Sequence, residues 1–364
     1  MIVEPRALER YLETTFGAPA RVRKVARLAA AKDGGAEDPK GYGYGTLLRV
    51  EYELGGAPRT AVLETIRPGP FGHEHMADRA QSLLWSHHAY NALPAHVRSL
   101  DVGGIRDGGD LVPLGDVREL FALREYVAGR EYAEDLARIR ERGAADDGDR
   151  ARVDALADYL VSIHREPGGD PGLYVRRIRE LVGHGECIMG VLDSYPADVP
   201  DAPPERLQGI ERACVAWRWR LKGRAHRLRR VHGDFHPWNI LFRDGVDFSL
   251  LDRSRGEWGD PADDAACLAM NYLFFGLSGG GVSPAFRALF LRFWERYLGR
   301  SGDAELPDVS APFFAFRALV MASPVWYPDL PPGVRGALLR FVERTLAEPR
   351  FDPEHALAIL DRAA

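Results

Sequence analysis

The segment VHGDFHPWNILF, residues 231–242, sets His232, Asp234, His236 and Asn239 among apolar residues of the kind that proteins bury. Asp234 follows His232 by two positions and precedes Asn239 by five, and Asp252 stands thirteen positions beyond Asn239 in SLLDRSRGEWGDP. One aspartate, one asparagine and a second aspartate, presented from a loop and a hairpin, suit phosphoryl transfer. A carboxylate at Asp234 can orient an attacking hydroxyl and accept its proton. The amide oxygen of Asn239 and the carboxylate of Asp252 are hard oxygen ligands for Mg²⁺ bridging nucleotide phosphates. Val231, Phe235, Trp238, Ile240, Leu241 and Phe242 would then clamp the loop onto a core, with the polar residues turned into a cleft. His232 is expected to hold the loop by hydrogen bonding and His236 to be a satisfied structural histidine. Taken singly, an HxD or an Asp beside a strand is more often a cap or turn residue, so the weight rests on the combination.

Those residues need elements to position them. Residues 5–16 have helical character, and RVRKVARLAA (21–30), TLLRVEYEL (46–54) and RTAVLETIRP (59–68) read as strands, with Gly55-Gly56 as a hairpin turn. A helix is expected over 75–93, closed by Pro94, and further strands over VRSLDVGGI (97–105) and LFALREYVAG (120–129). From about residue 130 the texture turns helical: 131–141, 149–165, 173–193, 205–230, 261–278, 284–299, 311–322 and 333–346. The fold class is α+β in two lobes, a small β-rich one over 1–126 and a large, mainly helical one over 127–364.

VHGDFHPWNILF together with LLDRSRGEWGDPADDAACLA resembles the aminoglycoside phosphotransferase and choline kinase family, which has a protein-kinase-like fold. The family's HGDxxxxN, hydrophobic strand, metal-binding aspartate and GDPxxD have counterparts in His232 to Asn239, Asp252, and Gly259 to Asp264. LADYLVSIHREP (156–167) resembles the family helix that ends in Leu-x-x-Leu-His, and LFALREYVAG resembles the strand leading to the interlobe hinge. The resemblance implies ATP or another nucleoside triphosphate with Mg²⁺, Asp234 as base, Asn239 and Asp252 as metal ligands, and the hinge backbone from Glu125 to Val127 against the base of the nucleotide.

In PKGYGYGTLL, Gly41, Gly43 and Gly45 permit a loop folded over phosphates or, as readily, a plain hairpin turn. The resemblance calls for a cation on the third strand, yet the aligned position holds Glu64. Arg67 replaces it if the register shifts by one; Lys24 and Lys32 are remoter, and Glu74, Asp78 and Gln81 stand where the resemblance implies an acidic partner for that cation.

A net charge of -5 and a pI near 6.2 over 364 residues argue against a nucleic-acid partner. No apolar run approaches the roughly 20 residues that span a bilayer, and the charged N-terminus is unlike a signal peptide, so the expected location is cytoplasmic and off the membrane. Cys187, Cys214 and Cys267 are spaced as reduced thiols, and His73, His75, His87 and His88 lack the third ligand type of a zinc site. The arginine-rich stretch 217–230 reads as a solvated helix face before it reads as a docking site for an acidic segment. The acceptor implied by the resemblance is a small hydroxylated molecule: an aminoglycoside-like antibiotic, a sugar or an amino alcohol. Glu257, Asp260, Asp263 and Asp264 would offer a polycation negative charge. A Ser or Thr of a peptide is the alternative acceptor, and Glu64 leaves room for a kinase-like protein that binds without catalysis. The oligomeric state is left open.

Overall fold

The computed structural model describes residues 4–27, 45–69, 71–278, 281–331 and 333–361. The chain divides into two compact units, Met1–Arg124 and Glu125–Ala364.

In the first unit α1 (Pro5–Phe16) starts at a proline and stops at Gly17, whose φ of 66° lies in the left-handed region. An antiparallel sheet follows in the order β1 (Ala20–Arg27), β2 (Gly45–Leu54), β3 (Ala57–Ile66). Gly55 and Gly56 join β2 to β3 with φ of 56° and 83°, a pair of left-handed residues that glycine adopts without a side-chain clash. Alternation then sorts the faces: Leu48, Val50 and Tyr52 of β2 and Ala61 and Leu63 of β3 pack with Leu8 and Leu12 of α1. The other face carries Lys24, Arg49, Glu51, Val62 and Glu64. Next comes α2 (Met76–Ala92), which buries none of its residues; its Met76, Leu84 and Trp85, with Leu120, line an apolar hollow of about 860 Å³.

Two strand expectations fail in this unit. Over 97–105 only β4 (Gly103–Ile105) forms, paired with β5 (Leu111–Pro113), and 120–129 is not a strand. Leu120, Phe121 and Leu123 stand exposed there. An apolar-rich run becomes a strand only where a neighbour supplies the ladder, and among the described residues none pairs with 120–129.

The second unit holds the large core. It begins with β6 (Arg130–Glu131), α3 (Tyr132–Arg142) and α4 (Asp147–His164), the last opened by a capping box between Asp146 and Asp149. The helix expected over 173–193 is two, α5 (Pro171–Gly183) and α6 (Ile188–Asp193), parted at Gly183 and Gly185. The one expected over 205–230 ends earlier, as α7 (Pro204–Leu221), before Gly223; Arg229–Arg230 form β7 instead.

The loop of the catalytic-type motif leads into a hairpin of β8 (Ile240–Phe242) and β9 (Phe248–Leu250), and β10 (Trp258–Gly259) pairs with β7. Behind it stand α8 (Pro261–Gly276), α9 (Pro284–Ser301), α10 (Leu306–Val309), α11 (Ala311–Ala322), α12 (Val334–Ala347) and α13 (Pro353–Asp361). α8 and α11 are apolar nearly all round and almost wholly buried, as helices at the centre of a core must be. No helix among the described residues is long and apolar enough to cross a membrane.

Candidate functional site

The loop from His232 to Asn239 is held from beneath by one carboxylate. Asp264, buried in the first turn of α8, accepts the backbone N–H of His232 and of Gly233, each at 2.7 Å. Its orientation is set in turn by His164 at the end of α4, whose Nε2 lies 3.1 Å from Asp264 and whose Nδ1 lies 2.6 Å from the Tyr297 hydroxyl. Burial pushes the Asp264 carboxyl up, but the hydrogen bond and charge of His164 and the amides of the loop outweigh it and hold it below the usual range. Gly233 has φ +87°, and a Cβ there would come within 3.2 Å of the Arg255 Cβ, so backbone conformation and space both select glycine.

His232 then ties the loop to the strand beyond. Its Nε2 donates to the Leu251 carbonyl at 2.9 Å, which leaves Nδ1 to accept the Asp234 amide at 3.3 Å. The Leu251 N–H bonds the Asn239 carbonyl at 2.9 Å, so both backbone groups next to Asp252 are fixed to the loop. Asp252 itself is exposed with φ of 50°, a left-handed conformation that Asp tolerates better than most residues. Such a conformation costs of order 1 kcal/mol and persists where the surroundings impose it. Asn239 donates from Nδ2 to the Asp234 carbonyl at 3.0 Å and is turned so that its Oδ1 is left to accept or to ligate.

Asp234 is mostly buried and is held by a residue that the sequence reading did not single out. Arg317, deep in α11, reaches Asp234 Oδ1 with Nη1, the Gly233 carbonyl at 3.2 Å with Nη2, and Asp263 at 2.9 Å. Arg255 Nε stands 3.8 Å and His236 Nε2 3.6 Å from Asp234 Oδ2. Burial raises the Asp234 carboxyl, and Arg317, Arg255 and His236 more than offset that, so it stays ionised below the ordinary aspartate range. Burial lowers His236, while burial raises Asp263 in spite of Arg317. Arg317 had a visible signal, a lone charge in the apolar helix PFFAFRALVMA, which requires a buried partner.

Of the negative charge expected for a polycation, Glu257 is exposed, whereas Asp260, Asp263 and Asp264 are taken up inside the molecule. Asp260 caps α8 and is bonded by Arg227 through Nε and Nη2, both at 2.9 Å, and by Tyr174 at 2.8 Å. Asp263 is paired with Arg317, and Asp264 is buried under the loop. The expectation set these carboxylates near the cleft with GDPxxD partly structural; at the start of an apolar helix the three aspartates are interior counter-ions.

The remaining expected positions are spread out. Gly41 and Gly43, with Lys32, lie outside the described residues, and Gly45 opens β2 opposite Ile66. A Cβ on Gly45 would meet the Thr65 carbonyl at 2.9 Å, so close strand pairing explains that glycine. β2 and β3 pair without a bulge, and Glu64 shares the exposed face of β3 with Val62. Arg67 is exposed one residue past the end of β3, and no register shift within the strand carries it to the face of Glu64. Glu125 and Val127 are in the irregular start of the second unit, exposed and half-buried respectively. The four histidines make no cluster of metal ligands: among the described residues no group of three or more His, Cys, Asp or Glu could hold an ion. Cys187, Cys214 and Cys267 are buried and free.

In the arginine-rich stretch Trp217 is buried and donates to the Leu346 carbonyl at 2.8 Å, whereas Trp219 is exposed under Arg218 and Lys222. Arg224 pairs with Glu305, Arg227 with Asp260 and Asp303, and Arg230 with Glu166, so much of its charge is internally compensated.

No curated protein matches the chain. Among solved structures, a glucosamine kinase in complex with glucosamine, ADP and inorganic phosphate is 16% identical with a TM-score of 0.33; the match covers 64% of this chain and 58% of that one, little more than half its length. An amicoumacin kinase in complex with AMP-PNP, Ca²⁺ and Ami is 12% identical over 91% of each chain, with a TM-score of 0.40. The choline kinase LicA from Streptococcus pneumoniae is 14% identical over 94% of this chain and 98% of its own, with a TM-score of 0.36. The family model of the phosphotransferase enzyme family (APH) matches residues 45–306, well over half of the 364, and this chain therefore belongs to the phosphotransferase enzyme family.

Proposed function

We propose that the protein transfers the terminal phosphoryl group of ATP, or of another nucleoside triphosphate, to a hydroxyl of a small molecule in the cytoplasm. The observation that carries this reading is the loop itself: Asp264 and His232 fix Asp234, Asn239 and the backbone leading to Asp252 in one hydrogen-bonded assembly. In the reaction the acceptor oxygen bonds to phosphorus as the bond from phosphorus to the departing diphosphate breaks. Asp234, kept ionised by Arg317, is a weak base at neutral pH. It orients the hydroxyl at first and takes the proton late, once bonding to phosphorus has drawn electron density from the hydroxyl oxygen and made it acidic, as a loose transition state allows.

Asn239 Oδ1 and the Asp252 carboxylate form an all-oxygen donor pair that fits Mg²⁺, which when bound would offset phosphate charge; phosphate and water oxygens would complete its shell. The hinge backbone from Glu125 to Val127 remains the proposed contact for the base of the nucleotide. A small acceptor is favoured over a peptide because Arg224, Arg227 and Arg230, three of the cations that would dock an acidic leader, are paired within the chain.

Asp234→Ala should leave Mg-ATP binding nearly intact and lower kcat by about 10² to 10⁴. Asp252→Ala should instead remove the Mg²⁺ dependence of nucleotide binding. Calorimetric titration with and without Mg²⁺, beside a turnover assay, reads both. Full turnover in Asp234→Ala would exclude the assignment, and absence of Mg-ATP binding in the wild type would favour a non-catalytic binding protein.

A further inference from the structure

We propose that the acceptor is anionic, carrying a carboxylate or phosphate ester within a few bonds of its reactive hydroxyl, and that Arg255, flanked by Arg177, receives that group. The inference rests on the phosphotransferase reading and specifies its substrate class. Arg255 and Arg177 both stand next to the catalytic loop at Gly233: a Cβ there would lie 3.2 Å from the Arg255 Cβ and 3.9 Å from Arg177 Nη2. Both side chains are 19% exposed, so they are mostly enclosed yet reachable.

Their partners differ. Arg177 is bonded to Glu180 at 2.9 Å and lies 3.9 Å from Asp263. Arg255 has Cys187 Sγ at 3.6 Å from Nη1, the Phe316 ring at 5.3 Å, and Asp234 3.8 Å from Nε. A thiol is a weak acceptor, and Nε and Nη2 of Arg255 make no hydrogen bond among the described residues. A largely enclosed guanidinium whose remaining donors reach solvent is open to a ligand. A carboxylate or phosphate, presented edge-on, fits its planar fork. Because Asp234 orients the acceptor hydroxyl and Arg255 lies beside the same carboxylate, a nearby anionic substituent reaches it. An ammonium there would meet like charge in a site of low dielectric, and Asp260, Asp263 and Asp264 are already occupied by interior partners.

The test uses the full-length protein with Mg-ATP, an ADP-release assay and hydroxylated acceptors matched in carbon number but not in charge: gluconate, glucose and glucosamine, then glycerate, glycerol and serinol. Wild-type kcat/KM should be about tenfold or more higher for the anionic member of each set. Arg255→Gln should collapse the ratio of anionic to neutral acceptor to within about threefold, and Arg255→Lys, which keeps the charge but loses the fork, should fall between. A wild-type preference for the neutral or cationic members overturns the inference and leaves the phosphotransferase reading standing. So does a uniform loss for all acceptors in Arg255→Gln with the ratio intact, which would place the arginine on the transferring phosphoryl group. A thermal shift with Mg-ATP but no turnover of either anionic acceptor also overturns it. Neither a shift nor turnover with any acceptor would defeat the phosphotransferase reading itself. The charge preference of the wild type needs no variant, so a poorly folding substitution does not blunt the test.

Discussion

The loop 231–242 and the strand β3 were both expected to contribute to one chemistry, and they are built on opposite terms. In the loop His232, Asp234 and Asn239 are mostly buried, and each is hydrogen-bonded to a neighbour on the loop, the hairpin or α11. On β3, Glu64 stands exposed beside Val62, with no side-chain hydrogen bond among the described residues. A buried polar group must find a partner or incur a penalty of a few kcal/mol, so its surroundings fix its geometry. A solvated side chain on a strand is under no such constraint, and its face follows from pairing parity alone.

The comparison breaks most visibly if Arg317 is removed. Arg317→Met would leave Asp234 and Asp263 buried without their counter-ion and should destabilise the second unit by about 3–5 kcal/mol, measured by denaturant unfolding. Arg317→Met combined with Asp263→Leu should recover a good part of that loss, because one orphaned carboxylate is gone. A single mutant as stable as the wild type would show that the network contributes little to the loop's geometry.

A smaller effect, of about 2–3 kcal/mol, is expected for Asp264→Asn, which substitutes an N–H₂ for one of two oxygens that accept loop amides and weakens the bond to His164. This loss should depend on pH. Since the folded carboxyl is held below its unfolded value, near 3.9, its contribution is present above that value and fades as pH falls through the lower folded one. The gap between wild type and variant should therefore narrow between pH 7 and pH 3. A gap constant over that range would remove the charge from the explanation.

Legibility in the sequence follows the same division. The helices over 5–16, 261–276, 284–301 and 311–322 announce themselves by a proline in the first turn and a long helix-forming run, and the Gly55-Gly56 turn by residue type. The expected strand at 120–129 is absent because composition cannot supply a pairing partner, and the helix over 173–193 breaks at two glycines that a periodicity scan passes over. The motif residues could be named because their spacing is local. Arg317 lies 83 residues from Asp234, a distance that no spacing rule spans, although its isolation in an apolar helix was a usable clue. The carboxylates of GDPxxD could be expected near the cleft and partly structural, but not assigned to Arg227, Arg317 and His164, because sequence shows residue type and not what stands behind it.

The smallest expected effects belong to β3, and they sharpen the comparison by testing its exposed side. Glu64 and Arg67 are three positions apart with no bulge between β2 and β3, so opposite parity separates them and Arg67 does not inherit the position of Glu64. If the expected strand cation is simply absent, Glu64→Ala should change kcat/KM for ATP by no more than about threefold, with a slight gain from removing a carboxylate near phosphate charge. Glu64→Lys, which restores a cation on that face, should then lower the ATP KM. Arg67→Ala should raise KM and lower kcat together only if the arginine contacts the phosphates from beyond the strand end, since such a contact strengthens as charge develops. Steady-state kinetics on the three variants decide the matter. A crippled Glu64→Ala beside a near-normal Arg67→Ala would make the glutamate itself part of the site, and the contrast between a constrained loop and an unconstrained strand would no longer hold.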